Sequence, residues 1–471
     1  MLQQPTTNRF SYYISLLIKA LKGAPQDYTT GSLRKAIFML AIPMILEMGM
    51  ESVFAVVDLF FVGRIGKHAV STIGLTESVI TLVYSMAIGL SMAATAVVAR
   101  RIGEKDNEGA ATAAVQALWI TFIVAFIISI AGLVWAGDLL RLMGAEPETI
   151  AIGRPYVRTM FGSSVFIILL FVINGIFRGA GDASIAMRSL WLANLCNIVL
   201  CPLLINGFGP VPALGLTGAA VATTIGRGIG VSYQMFHLFN GKHMVQIKTA
   251  SLKWEDAVVR SLVKVAWPAI LQFIIGSCSW IFLARLVAET GHSNASAGYQ
   301  TAIRVLMFFL LPAWGISNAA ATLVGQNLGA KNIERAEKAV LQTAKYNALF
   351  MLIVTALFFL FAEGIIGVFA RQPEVQRIAV RALRIITCGY LFYGVGMVLV
   401  NAFNGAGDTR TPTWINIFGF WVFQIPLAYL LAKTAGLGPT GVFISIPIAE
   451  MVMTIAAYIL FKRGRWKTVH V

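Results

Sequence analysis

Arg178-Gly179-Ala180-Gly181-Asp182 is answered 226 residues later by Asn404-Gly405-Ala406-Gly407-Asp408. Other marks keep nearly the same offset. Gly103 in Arg101-Ile102-Gly103-Glu104-Lys105 answers Gly329 in Asn327-Leu328-Gly329-Ala330-Lys331, and Gly89 answers Gly315. Ile42-Pro43-Met44 answers Trp267-Pro268-Ala269, and Thr217-Gly218-Ala219 answers Thr440-Gly441-Val442. The 471-residue chain is therefore one unit written twice.

Composition decides where this unit lives. Hydrophobic residues make up 58% and charged residues 12% of the chain, against roughly 25% charged in a soluble domain. Mean hydropathy is +0.76. A spanning helix needs roughly 20 mostly apolar residues. Twelve such stretches are expected, near 36–62, 70–99, 110–136, 152–177, 184–206, 214–238, 261–288, 297–325, 338–362, 380–403, 412–434 and 440–461. The runs are continuous rather than short and alternating, which excludes a β-barrel. The expected fold is an all-α polytopic membrane protein with two six-helix lobes. An even number of spans per copy inserts both copies the same way up, so a pseudo-two-fold axis should lie along the membrane normal. Duplication of this kind is the usual build of a transporter whose halves rock around a central site.

The net charge of +16 does not imply a nucleic-acid partner. Lys and Arg gather at the chain ends and in alternate loops, as in Arg100, Arg101 and Lys105, or Lys462, Arg463, Arg465 and Lys467. The stretches 206–215 and 293–298 have none. This positive-inside pattern puts both termini in the cytoplasm. The parts are then a tail at 1–33, a first lobe at 34–240, a linker at 241–260, a second lobe at 261–462 and a tail at 463–471. Residues 10–22 suit either a short helix on the inner membrane surface or a disordered tail. No cleavable leader is expected, because the first long apolar run starts after residue 35 and no cleavage site follows it. Cys196, Cys201, Cys278 and Cys388 all lie in apolar runs, with no metal or disulfide spacing. They are expected to be small buried hydrophobes.

A carboxylate at the bilayer centre costs roughly 2.5–3.5 kcal/mol, yet the first span holds Glu47, Glu51 and Asp58. Steps of four and seven residues put all three in one sector of a helix, an acidic stripe that should face a cavity or a partner. Glu77 on the second span adds a fourth acid. Counted from the outer loops, Asp58, Glu77, Asn197 and Thr223 share a depth in the outer half of the first lobe. Oxygen-bearing side chains at one depth suit a cation site, whereas each taken alone also suits ordinary interhelical hydrogen bonding. The second copy lacks the acids: Glu47 becomes Gln272, Glu51 becomes Gly276 and Asp58 becomes Leu283. It carries Arg285, Glu289 and Arg304 instead, and the first two stand one helical turn apart as a local ion pair. That asymmetry assigns cation handling to the first lobe.

The Gly-Ala-Gly-Asp turns have no preceding strand and no following Gly-Lys-Ser/Thr, so tight turns with a capping Asp explain them better than phosphate loops do. No nucleotide, metal or other cofactor motif is present, and energy for pumping would come from an ion gradient. A membrane enzyme or channel finds no catalytic cluster or filter motif in its support.

Together, the twelve spans, Val57-Asp58-Leu59-Phe60-Phe61-Val62-Gly63, the Arg178-to-Asp182 turn and Gly218-Ala219-Ala220-Val221-Ala222-Thr223 resemble the multidrug and toxic compound extrusion (MATE) family from about residue 30 to 462. The resemblance implies a V-shaped antiporter that exports cationic or amphipathic organic compounds in exchange for protons or sodium ions. It gives Asp58 the coupling cation and matches Asn197 and Thr223 to the same site. Cys201 stands where the family's Asn-x-x-x-Asp-Pro pattern has its acid, and a thiol is a poor sodium ligand, although a single carboxylate can still carry a proton. Glu51 and Glu77 join the coupling set. Glu47, Met48, Tyr84, Gln272, Trp280 and Met307 are expected to line a cleft for flat drug-like cations. The expected setting is the plasma (inner) membrane, with the lipid bilayer and small organic cations as the partners of a monomer. The alternative is a flippase for lipid-linked anions, for which Arg285 and Arg304 are the best support.

Overall fold

The computed structural model describes residues 9–23, 26–63, 65, 67–207, 209–210, 212–241, 243–370 and 372–471, with the side chains of 9–13, 58, 59, 67, 68, 70, 249 and 250 excepted. Among the described residues the chain is helical, with no strand. Runs of Leu, Ile, Val, Phe and Ala with few polar interruptions leave the backbone no partner but itself, and in lipid only a helix satisfies that.

The first half comprises α1 (Arg9–Lys22), α2 (Leu33–Gly63), α3 (Lys67–Gly103), α4 (Asn107–Leu142), α5 (Pro147–Gly162), α6 (Ser164–Ala180), α7 (Ala183–Asn206) and α8 (Leu216–Phe239). The second comprises α9 (Asp256–Gly329), α10 (Ile333–Phe369), α11 (Pro373–Thr387), α12 (Tyr390–Ala406), α13 (Arg410–Asn416), α14 (Ile425–Tyr429) and α15 (Pro439–Arg463). Segments 417–424 and 430–434, flanking α14, are π-helical.

Among the described residues, nine helices are long and apolar enough to cross a membrane, or ten when the pair α11 and α12, bent by 54°, is taken as one span. Two places separate this from the twelve stretches read above. The 74 residues of α9 would run about 110 Å at 1.5 Å per residue, far beyond a ~30 Å hydrocarbon core. It breaks at His292, whose φ of 58° and ψ of −158° are not helical. α8 carries Thr217, Thr223, Thr224 and Arg227 and is not among the nine. α1 forms at residues 9–22, with Leu16 and Ala20 buried and Ile14, Leu17 and Ile18 exposed.

The repeat is visible in the turns. Lys105 and Lys331 both take positive φ, 63° and 59°, and Gly181 and Gly407 share a φ of 86°. Asp106 accepts a hydrogen bond from the Gly109 amide, and Asn332, at the matching position, accepts one from the Arg335 amide. The expected capping role of the two turn acids holds only once. Asp408 Oδ1 accepts from the Thr411 amide at 3.3 Å. Asp182 makes no such cap, and its carboxylate takes His243 at 2.7 Å and Ser184 at 3.1 Å instead.

Packing follows the halves. One core cluster draws on residues 62–266, with Leu170, Ile173 and Phe177 at its centre. Two others lie in the second half, one around Phe358 and Phe443 and one around Phe403, Phe461 and Trp466. A fourth, with Leu40, Met44, Ala319 and Leu323, joins the halves.

The halves meet most closely where α3 and α9 end. A Cβ on Gly103 would stand 2.0 Å from the Gln326 carbonyl oxygen, and one on Gly329 would stand 2.2 Å from that of Arg100. Only glycine allows this approach. Hydrogen bonds then tie the seam. Thr322 Oγ1 donates to the Arg178 carbonyl at 2.9 Å, and Gln326 Nε2 donates to that of Gly179 at 2.9 Å. Arg335 reaches the carbonyls of Tyr28, Thr30 and Gly31, and Arg100 those of Ala406 and Val469. Gly103→Val should hold this seam open. A cysteine replacing Thr322, which is fully buried, should then react with a water-soluble maleimide that leaves it untouched when Gly103 is present. Equal labelling in both backgrounds would contradict the seam.

Candidate functional site

α2 turns one side toward α3, α6 and α9. There it bounds a cavity of about 220 Å³, with Glu47, Met48, Glu51, Tyr84, Met92 and Trp314 in its wall. Three expected cleft residues, Glu47, Met48 and Tyr84, thus line one space.

The acids of α2 are not alone in it. Glu47 is 1% exposed. Its Oε1 accepts from Asn174 Nδ2 at 2.9 Å and faces the Arg178 guanidinium at 3.7 Å. Arg178 also donates to Ser91 Oγ at 3.0 Å. One turn on, Glu51 Oε1 accepts from Arg227 at 2.7 Å, while its Oε2 accepts from Asn194 Nδ2 at 3.2 Å. Arg227 is 2% exposed and stands 5.2 Å over the Phe54 ring, with Tyr84 beside it. Behind Glu47, Ser189 Oγ donates to Asn174 Oδ1 at 3.2 Å, and Gln234 Nε2 donates to both Asn174 Oδ1 and Ser189 Oγ. A buried charge needs a partner and further hydrogen bonds to be tolerated at all, and this belt supplies them to Glu47 Oε1 and to both oxygens of Glu51, while Glu47 Oε2 and Arg227 Nη1 are buried with no partner among the described residues.

One reading of the sequence changes here. Glu47 is buried against Arg178. Two of the stripe's three acids are matched in charge, because Arg178 and Arg227 face Glu47 and Glu51 one for one. Arg178 had been taken only as part of a turn, and Arg227 was passed over. The rule that an intramembrane charge needs a named partner, applied to α8, would have found it.

The other expected ion-site residues divide. Asn197 and Thr223 do meet, with Asn197 Nδ2 donating to Thr223 Oγ1 at 2.9 Å, and both are buried. The Asp58 side chain lies outside the described residues. Glu77 is exposed on α3 with Arg304 of α9 as a charged neighbour. Cys201 is buried on α7, whereas Cys388 is exposed, contrary to expectation, and Cys196 and Cys278 are half-buried. Arg285 makes its local pair with Glu289 at 2.9 Å on the surface, where Lys433 shares the same carboxylate.

A second cavity, of about 180 Å³, lies in the other half and shares Met92, Trp314 and Asn401 with the first. Gln272 lines it, and so does Glu450 of α15. Trp280 and Met307 stand apart, around a small space of about 10 Å³ that also touches Glu450. Glu450 is an acid the sequence reading missed. Its signal is plain, a lone carboxylate in an apolar run, but of the second copy's charges the sequence reading takes up only Arg285, Glu289 and Arg304.

A sequence model of the MatE family matches the chain twice, over residues 43–203 and 268–430. The probable multidrug resistance protein YoeA of Bacillus subtilis is 27% identical, over 92% of this chain and 94% of its own length. An FAD transporter of Shewanella oneidensis is also 27% identical, over 87% and 90%. Among solved structures, an outward-facing multidrug resistance MATE transporter of the MOP superfamily superposes with a TM-score of 0.88 at 29% identity, covering 93% of this chain and 97% of that one.

Proposed function

This chain belongs to the MatE family of membrane transporters and is not an enzyme, and we propose that it is a secondary antiporter that expels cationic or amphipathic organic compounds in exchange for protons. The observation that carries the reading is the cavity between the halves, apolar and aromatic in most of its wall, with buried ionisable side chains reaching it from α2 and α6. A flat amphipathic molecule gains dispersion and cation–π contact from Tyr84, Phe171 and Trp314, and Met48 and Met92 adapt to its outline. A relative named as a multidrug resistance protein supports the same reading. The coupling set is Asp58 with Asn197, Thr223, Glu51 and Glu77. Protons are preferred to sodium because Cys201 stands where the family's pattern has its second acid. The protein would work as a monomer in the inner membrane with both ends in the cytoplasm and with lobes bounded as given above.

A second reading, transport of an anionic compound or lipid-linked anion, is favoured by Arg178 in the cavity wall. Arg285 and Arg304, its expected support, are exposed. Cells expressing the chain should accumulate less ethidium than cells without it, and a protonophore should erase the difference. Unchanged ethidium levels together with export of an anionic dye would favour the second reading.

A further inference from the structure

We infer that Glu450 and the cavity around it form the subsite that holds the positive charge of an organic cation, so that cation recognition lies in the second half rather than on the acids of α2. The inference rests on the export reading above and locates its charge-recognising group.

The first observation is what Glu450 lacks. It is 7% exposed, and it has no hydrogen-bond or ion-pair partner among the described residues. Every acid of α2 whose side chain is described has an arginine against it. A carboxyl group held in an apolar bundle without a partner is costly and calls for a ligand.

The second observation is independent. Gln272, 5% exposed and in the same wall, has a buried Oε1 with no partner among the described residues. Its amide oxygen is an acceptor, and an acceptor and a carboxylate lining one cavity suit a positively charged guest. The rest of the wall fits the guest's apolar body. Phe273 stacks on Trp314 with ring centroids 5.4 Å apart, and Phe420, Met397 and Met453 complete the enclosure. Aromatic faces and thioethers around one negative charge are the chemistry that recognises a delocalised organic cation.

The repeat explains how this arose. At the offset set by Thr217-Gly218-Ala219 and Thr440-Gly441-Val442, Glu450 occupies the position of Arg227. Across the copies, Glu47 becomes Gln272, Glu51 becomes Gly276, Arg178 becomes Asn404 and Arg227 becomes Glu450. Two acids and two bases in one half are replaced by a single acid in the other. The scaffold is duplicated, and the charge balance moves from neutral to negative.

Ethidium is the probe, and its fluorescence on the purified full-length protein in nanodiscs is the readout. Glu450→Gln should weaken binding by roughly tenfold or more. Asn416 lines the same cavity, so Asn416→Asp in the Glu450→Gln background returns the charge and should recover most of the affinity. Glu450→Gln protein that elutes as the parent does and binds ethidium equally well would overturn the inference, as would failure of the relocated charge to rescue. Should the variant not fold, photolabelling of the parent with ethidium monoazide decides. Label on α15 supports the subsite, and label confined to α2 and α3 refutes it. A parent protein that binds no ethidium at all would remove the cation-export reading too, whereas binding indifferent to Glu450 removes this subsite alone.

Discussion

Arg227→Met should destabilise the protein by about 3–5 kcal/mol, the usual cost of stripping one partner from a buried ion pair, and Glu51→Met in the same chain should restore most of the loss. Arg227 is 2% exposed and donates to Glu51 at 2.7 Å. With methionine in its place, Glu51 keeps only the 3.2 Å hydrogen bond from Asn194 Nδ2, and its charge is left in an apolar surround. The double variant removes both charges, and two flexible side chains fill similar volumes without desolvation cost. Thermal melting of the four proteins of this cycle in detergent gives the coupling between the two sites. Additive losses would mean that the pair contributes nothing to the packed state.

Asp58→Asn should reduce concentrative ethidium export to background while the amount of protein in the membrane stays level. Glu47 and Glu51 are engaged by Arg178 and Arg227, and the resemblance assigns the coupling ion to Asp58, on the same helix and seven residues beyond Glu51. Asparagine keeps the shape and an oxygen but cannot carry the exchanged proton. Glu51→Gln serves as the contrast. It too disturbs export, but it lowers the melting temperature by leaving Arg227 without its counter-charge. An Asp58→Asn protein that still concentrates substrate would refute the role of Asp58.

Much of the fold was legible because lipid imposes a simple code. Long apolar runs have to be helices, and Gly181 and Gly407, or Lys105 and Lys331, announced a repeat whose turns share one backbone form. The break at His292 falls in the gap left between the stretches 261–288 and 297–325. Residues 289–297 carry polar side chains but no proline or paired glycines, and the helix continues on both sides of a single aberrant residue. The site was legible in membership more than in meaning. Glu47, Met48 and Tyr84, read as cleft residues, share a wall with Glu51, read as a coupling residue, and Asn197 meets Thr223. The charge balance failed because partners of Glu47 and Glu51 come from α6 and α8, 131 and 176 residues away in the chain, a distance that periodicity within one helix cannot register. Glu450 is different. It carries its own signal, a lone carboxylate in an apolar run, and the repeat, which pairs it with Arg227, shows that its position is one where charge belongs.

The central claim, that an organic cation leaves in exchange for protons, is tested most directly by flux in proteoliposomes. Purified protein is reconstituted with a pH indicator in the lumen, and ethidium is followed together with lumenal pH under an imposed proton gradient and, separately, under an imposed sodium gradient. Ethidium movement against its own gradient, coupled to an opposite flow of protons and absent in Asp58→Asn vesicles, is the result expected. Ethidium movement driven by sodium alone, or indifferent to both gradients, would contradict it.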